Sequence, residues 1–188
     1  MSNIYFTSDT HWNHANIIKY SKRPFADVNE MNEVLIDNWN SRIKPQDRVY
    51  HLGDVGFSNS QSNLCNILRR LNGQKFLIIG NHDEKTVDRD AKFRTYWETI
   101  SDTKTVKYQG QSIFLSHYAH RVWNKSHRGS WHLYGHSHGS LSDDIRSNSF
   151  DVGVDCHNYF PLSFDDVARI MAKKQWEPID HHGADTVE

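Results

Sequence analysis

Cysteine is scarce in this 188-residue chain: only Cys65 and Cys156 occur, far apart and in no Cys-x-x-Cys spacing. A disulfide framework and a thiolate zinc site are not indicated, and buried reduced thiols are the expected state. Long apolar runs are missing too. No stretch approaches the roughly 20 apolar residues that span a bilayer, and Met1-Ser2-Asn3 leads into a strand pattern without the basic segment and apolar core of a secretion signal. The expectation is a cytoplasmic protein with no membrane contact. Charge of one sign is not in excess either. The 22 Lys and Arg stand against 23 Asp and Glu, a net charge of −1, which argues against a chain whose main business is coating nucleic acid and leaves room only for a local basic patch. Repeats, low-complexity segments and an interdomain linker are also absent. The length fits one domain with a full core, expected over residues 1–175, followed by an aperiodic tail, 176–188, expected to be disordered along with its His181-His182 pair.

What the chain has in abundance is histidine, 13 residues, and their placement is ordered. Five short apolar runs each end in residues able to bind metal or move protons. Ile4-Tyr5-Phe6 leads to Asp9-Thr10-His11, and Val49-Tyr50-His51-Leu52 leads to Gly53-Asp54. Lys75-Phe76-Leu77-Ile78-Ile79 leads to Gly80-Asn81-His82-Asp83, Ile113-Phe114-Leu115 to Ser116-His117, and Trp131-His132-Leu133-Tyr134 to Gly135-His136-Ser137-His138. Buried strands that deliver polar side chains at their carboxyl ends produce this pattern.

Between the strands the spacing turns helical. Asp27-Val28-Asn29-Glu30 has the form of a capping box, with Met31, Val34, Leu35 and Trp39 on one face of a helix over 28–42 that Pro45 closes. Ser60 or Ser62 is expected to cap a second helix carrying Leu64, Ile67, Leu68 and Leu71 and stopping at Gly73. Strand, helix, strand, helix, strand implies right-handed βαβ units and a parallel sheet, with catalytic groups at its carboxyl edge. From Thr103 a hairpin turning at Gln109-Gly110 begins a strand-rich half, ended by a helix that opens at Ser163-Phe164-Asp165-Asp166.

Asp9 and His11 are two apart, as are His136 and His138, and in extended backbone each pair would point to one side, ready to grip a cation. Imidazole, carboxylate and amide oxygen without thiolate suit manganese, iron, zinc or nickel better than magnesium or calcium. Two divalent ions against only two obvious carboxylates, Asp9 and Asp54, leave a positive centre, which attracts phosphate oxygens and stabilises charge developing in phosphoryl transfer.

In this order, from Asp9 to His138, the motifs resemble the calcineurin-like metallophosphoesterase superfamily. Ser8-Asp9-Thr10-His11 and Val152-Gly153-Val154-Asp155 are similar to its small bacterial and phage members. The resemblance implies an α/β fold, an αββα sandwich of two mixed sheets flanked by helices, with a two-metal site along the sheet edge. It implies Asp9, His11 and His138 on one metal, Asn81, His117 and His136 on the other, and Asp54 as the bridge. It gives His82 the part of hydrogen-bond or proton donor on the leaving side of the phosphate, with Asp83 orienting it, and a metal-held hydroxide as nucleophile.

For substrate contacts, His14 stands beside the first motif, and Arg23 is suited to bidentate phosphate contact, ahead of Lys19 and Lys22. Arg121 and Trp123, in a segment rich in cations and indoles, are expected to flank the groove and to hold a second phosphate or stack a base. His51 and His132 are read as core histidines, and Asp155 and His157 as structural. The expected substrates are small-molecule phosphoesters, with nucleotide or nucleic-acid-end phosphodiesters ahead of phosphomonoesters; a non-catalytic metal-binding scaffold is the reading from another class.

Overall fold

The computed structural model describes residues 2–57 and 61–180. Along the first half run β1 (Ile4–Thr7), α1 (Ala15–Tyr20), α2 (Val28–Arg42), β2 (Arg48–His51), α3 (Gln61–Arg70), β3 (Gln74–Ile78), α4 (Glu84–Arg89), α5 (Ala91–Arg94) and β4 (Thr99–Ser101). The second half adds β5 (Thr103–Tyr108), β6 (Gln111–Ser116), β7 (Trp131–Tyr134), β8 (Ser149–Asp151), β9 (Leu162–Ser163) and α6 (Phe164–Met171). One sheet has the order β4-β3-β2-β1-β9, parallel except for β9; the other has the order β5-β6-β7-β8, parallel except for the β5-β6 hairpin.

The alternation of side chains along the short strands sorts the apolar residues into two layers. From the first sheet, Tyr5, Val49 and Leu77 face α2 and α3, meeting Leu35, Trp39, Leu64 and Leu68. Ile4, Phe6, Tyr50 and Ile78 face the other way, onto Ile113, Leu115, Leu133 and Phe150 of the second sheet. α6 adds Val167 and Met171 to this inner layer, and its Phe164 ring lies 5.0 Å from Tyr108 and 5.6 Å from Trp131. The outer side of the second sheet is covered not by a long helix but by the connection between β6 and β7, where Trp123 packs 5.2 Å from His132, itself 5.3 Å from Phe114.

The expected elements appear with small shifts. Asp27 accepts from the Asn29 and Glu30 amides, but Glu30 reaches back to Ala26, so only half of the capping box forms. Ser62 falls inside α3, and Ser60 lies outside the described residues. Gln109 (φ 47°) and Gly110 (φ 84°) both adopt left-handed backbone, the two-residue turn that matches the twist of a hairpin. α4, α5 and β4 were not foreseen, being too short to show a period. At the start of the tail the Glu177 amide donates to the Arg146 carbonyl at 3.0 Å, next to the bond of 2.8 Å from the Gln175 amide to the Ile145 carbonyl; His181 and His182 lie outside the described residues. Among the described residues no helix is long and apolar enough to cross a membrane.

At α6 the capping box is complete, with Ser163 and Asp166 each accepting from the other's backbone amide. Ser163→Ala should lower unfolding stability by about 1 kcal/mol in urea titrations. Metal content should be unchanged, because the cap lies away from the strand ends that carry the site.

Candidate metal centre

The carboxyl ends of β1, β2, β3, β6 and β7 meet where the two sheets share an edge. Backbone bonds stitch them together: the Asp9 and His11 amides donate to the carbonyls of Gly53 and Asp54, at 3.0 and 3.1 Å, and the Gly135 amide to that of His117 at 2.9 Å. Across the sheets, the His136 amide donates to Asp9 Oδ2 at 2.9 Å.

Two groups of donor atoms result. In the first, Asp9 Oδ1 lies 4.0 Å from His11 Nε2 and 3.9 Å from His138 Nε2. In the second, Asn81 Oδ1 lies 3.1 Å from both His117 Nε2 and His136 Nδ1. Asp54 stands between them, with Oδ2 at 3.5 Å from His11 Nε2 and Oδ1 at 3.6 Å from His117 Nε2. On the solvent side, His82 Nε2 comes to 4.0 Å from Asp54 Oδ2, its ring flanked by Phe57 and its side chain 43% exposed.

The expected extended backbone is not what aims the paired ligands. Asp9 (φ 57°), His11 (φ 50°), Asp54 (φ 56°), His136 (φ 67°) and His138 (φ 47°) all lie in the left-handed region. Non-glycine residues adopt it at a cost of about 1–3 kcal/mol each, and such strain gathers at functional sites. The glycines of the motifs have a separate cause. A Cβ on Gly53 would come within 2.6 Å of both the Gly80 amide nitrogen and His117 Nδ1, and one on Gly135 would collide with the Ser8 hydroxyl and the Asp9 carboxylate.

The electrostatics fit cations. Asp9 Oδ1 and His11 Nε2 are buried without hydrogen-bond partners. Burial pushes the Asp9 carboxyl up to about 8, with Asp54 and Asp151 adding to the effect, while burial and the neighbouring His138 and Arg23 hold His11 well below the usual imidazole range. His138, hydrogen-bonded to Asp155 and facing Asp9, is shifted the other way, above the usual imidazole range despite burial; the orphaned Asp9 Oδ1 and His11 Nε2 are the pair that a bound cation would satisfy. The Asp9, His11 and His138 group and the Asp54, His117 and His136 group, the second with Asn81 facing it, could each hold an ion.

A sequence model of the calcineurin-like phosphoesterase superfamily domain matches residues 3–150. The chain belongs to this superfamily. It is therefore a metal-dependent phosphoester hydrolase. An uncharacterised protein of Methanocaldococcus jannaschii is 36% identical over 179 residues, covering 92% of this chain and 93% of its own. The gene 66 protein of Mycobacterium phage L5 is 29% identical, covering 82% of this chain and 87% of its own. Among solved structures, a protein of unknown function from Aquifex aeolicus superposes with a TM-score of 0.73 at 25% identity, covering 90% of this chain and all of its own.

Several expected contacts of this phosphoesterase are rearranged. Asp83 does not orient the His82 ring. It is 1% exposed, and its oxygens accept from the amides of Asp54 (2.7 Å), Val55 (2.9 Å) and Gly80 (2.9 Å), clamping the ends of β2 and β3 together. Burial pushes its carboxyl up to about 7 despite these three donors. Arg23 is not at the cleft surface either. It is 4% exposed and paired with Asp155 at 2.8 Å, because its guanidinium finds buried carbonyls and a buried carboxylate rather than solvent. Arg121 and Trp123 line a different cavity, of about 480 Å³, shared with Arg146 and Trp176, since their connection folds over the outer face of the second sheet.

The cleft over the donor atoms, about 650 Å³, is walled instead by His14 just before α1, by Ile17 and Tyr20 of α1, and by Lys22 just after it. His14, first read as a substrate contact, is one of the residues lining this cleft. Tyr20, 73% exposed, was missed; an aromatic residue three positions before Arg23 was its only signal. Asp155, read as structural, accepts from His138 Nδ1 at 2.6 Å. Burial opposes its charge, but the hydrogen bonds from His138 and Arg23 outweigh this and hold the carboxyl below its ordinary range.

Gly135→Ala should displace Asp9 and Ser8 and deplete bound metal with the sheet content kept. Elemental analysis alongside circular dichroism checks this, and full metal content in a folded variant would contradict it.

Proposed function

We propose that the protein binds two divalent cations, manganese foremost with iron, zinc or nickel as alternatives, and hydrolyses phosphodiesters of the nucleotide class. The observation carrying this reading is the Asp54 carboxylate, which faces a different group of donor atoms with each oxygen. Asp9, His11 and His138 would hold one ion, Asn81, His117 and His136 the other, and Asp54 both. Two cations there would supply positive charge to the phosphate oxygens and bring the pKa of water from 15.7 toward roughly 7.

The remaining work falls to the chain. His82, half-exposed with Nε2 turned toward Asp54, would donate to the departing oxygen. Asp83 acts one step back, holding the Gly53-Asp54 and Gly80-Asn81 turns in register through backbone amides. The open cleft supports a phosphate substituted on both sides, whereas strict selectivity for monoesters needs closure around three free oxygens. On α1, Tyr20 offers a face for a base, and Lys22, without an ion pair among the described residues, offers a charge for a further phosphate. His82 also speaks against a non-catalytic scaffold, which needs no proton donor.

Chelation should abolish hydrolysis of an aryl phosphodiester, and manganese should restore it; full turnover by metal-free protein would exclude the mechanism. Asp54→Asn should weaken both bound ions. His82→Ala should keep them and slow turnover by about 10²- to 10⁴-fold, and loss of metal in both variants would undo the division of roles. Tyr20→Ala should raise KM for nucleotide diesters more than for methyl-substituted ones, because stacking on a base is worth about 1–3 kcal/mol. An equal effect on both substrates would remove the stacking role.

A further inference from the structure

A buried arginine–carboxylate pair beside the cleft, Arg23 with Asp155, includes no candidate ligand, yet it touches two of them. All five N–H donors of Arg23 are occupied. Nε donates to Asp155 Oδ1 at 2.8 Å and Nη2 to Asp155 Oδ2 at 2.8 Å, a bidentate pair between residues far apart in the chain. Nη2 also donates to the Asp9 carbonyl at 2.7 Å, and Nη1 to the Thr10 carbonyl at 2.9 Å and to Met31 Sδ at 3.4 Å. The Arg23 side chain is fully buried and that of Asp155 is 7% exposed.

These bonds fix two features of one donor group. The carbonyls of Asp9 and Thr10 belong to the stretch in which Asp9 and His11 take left-handed backbone, so the guanidinium holds a conformation that the chain would not keep alone. At the far end, Asp155 Oδ2 accepts from His138 Nδ1 at 2.6 Å. A proton kept on Nδ1 leaves the Nε2 lone pair free, and that atom faces Asp9 Oδ1. A carboxylate behind a ligating imidazole sets its tautomer and orientation and raises its basicity. The other donor group is backed differently: His117 Nδ1 donates to the Leu52 carbonyl at 2.7 Å, and His136 is exposed.

We infer that Arg23 and Asp155 are a positioning pair for one ion only, acting on Asp9 through its backbone and on His138 through its ring, and leaving the Asn81, His117 and His136 group unaffected. The inference rests on the two-cation reading and asks more of it, because it assigns a residue first expected at the substrate to the metal instead. Replacing Arg23 alone leaves Asp155 buried without a counter-charge, which destabilises strongly. Asp155→Asn, close to isosteric, is therefore the primary variant.

Metal-free wild type, Asp155→Asn and Arg23→Gln are titrated calorimetrically with Mn²⁺ and, separately, Zn²⁺. Two binding events are expected in wild type. In Asp155→Asn one of them should weaken by about 10- to 100-fold, with the other unchanged. In parallel, the ¹⁵N shifts of His138 in metal-free protein, recorded above the pH at which the ring protonates, should show the proton on Nδ1 in wild type and a mixture of tautomers in Asp155→Asn, a difference that a merely structural role would not produce. Two unchanged events, two equally weakened events, or an unchanged tautomer would overturn the inference. Wild type that binds no metal would overturn the two-cation reading itself, a separate result. If Arg23→Gln does not fold, Asp155→Asn and the tautomer decide alone.

Discussion

The Asp54 carboxylate is 2% exposed and lies between a histidine that follows a strand of one sheet and a histidine that follows a strand of the other. That contact constrains the whole molecule. His11 and His117 reach Asp54 together only if β1 and β2 are parallel neighbours, if β6 lies across the inner core from them, and if both sheets end at one edge. The apolar layer of Phe6, Ile78, Leu115 and Leu133 sets the distance between sheets, and the glycines before Asp54, Asn81 and His136 let the turns approach closely enough for the polar atoms to meet. Hydrophobic packing fixes where the sheets stop, and the turns do the rest.

A site assembled in this way is electrostatically incomplete as a protein alone. Burial pushes the Asp9 carboxyl toward neutrality and keeps the His11 imidazole from protonation, so Asp9 Oδ1 and His11 Nε2 hold lone pairs without a hydrogen-bond partner among the described residues. Folding energy from the sandwich keeps them there. The left-handed backbone at five of the candidate ligands belongs to the same economy, since a more relaxed turn would separate atoms that a cation needs close together.

Much of this was legible in the sequence. Apolar runs ending in Asp, His and Asn marked the strand ends, and the helical stripe from Met31 to Trp39 and the Gln109-Gly110 turn fell where their physics put them. What was hidden depended on which way a side chain turns once the chain is folded. Nothing local to Arg23 tells that its partner is Asp155, more than half the chain away, and an arginine beside a phosphate-type motif looks like a substrate contact until its burial is seen. Asp83 next to His82 looked like its orienting group, but neighbours along a turn point apart, and the three free amides of the adjoining turns took its oxygens. The direction in which the connection from β6 to β7 would fold, and so the place of Arg121 and Trp123, was not written in its composition. Asp155 was visible as part of Val152-Gly153-Val154-Asp155 without any sign of its link to His138.

The position of β9 bears on how the molecule comes together in time. Tyr5 pairs with Val49 on one side and with Ser163 on the other, so β1 remains an open edge until nearly all of the chain exists. Pairings so distant in sequence close slowly, because loop entropy is lost before contacts compensate for it. The strand that leads to Asp9 and His11 therefore gains its second neighbour only after His117 and His136, which follow β6 and β7 and share its site, have been made. Capture of metal during refolding should lag behind formation of the first sheet, and stopped-flow traces in which the two rise together would show that the site organises its strands rather than awaiting them.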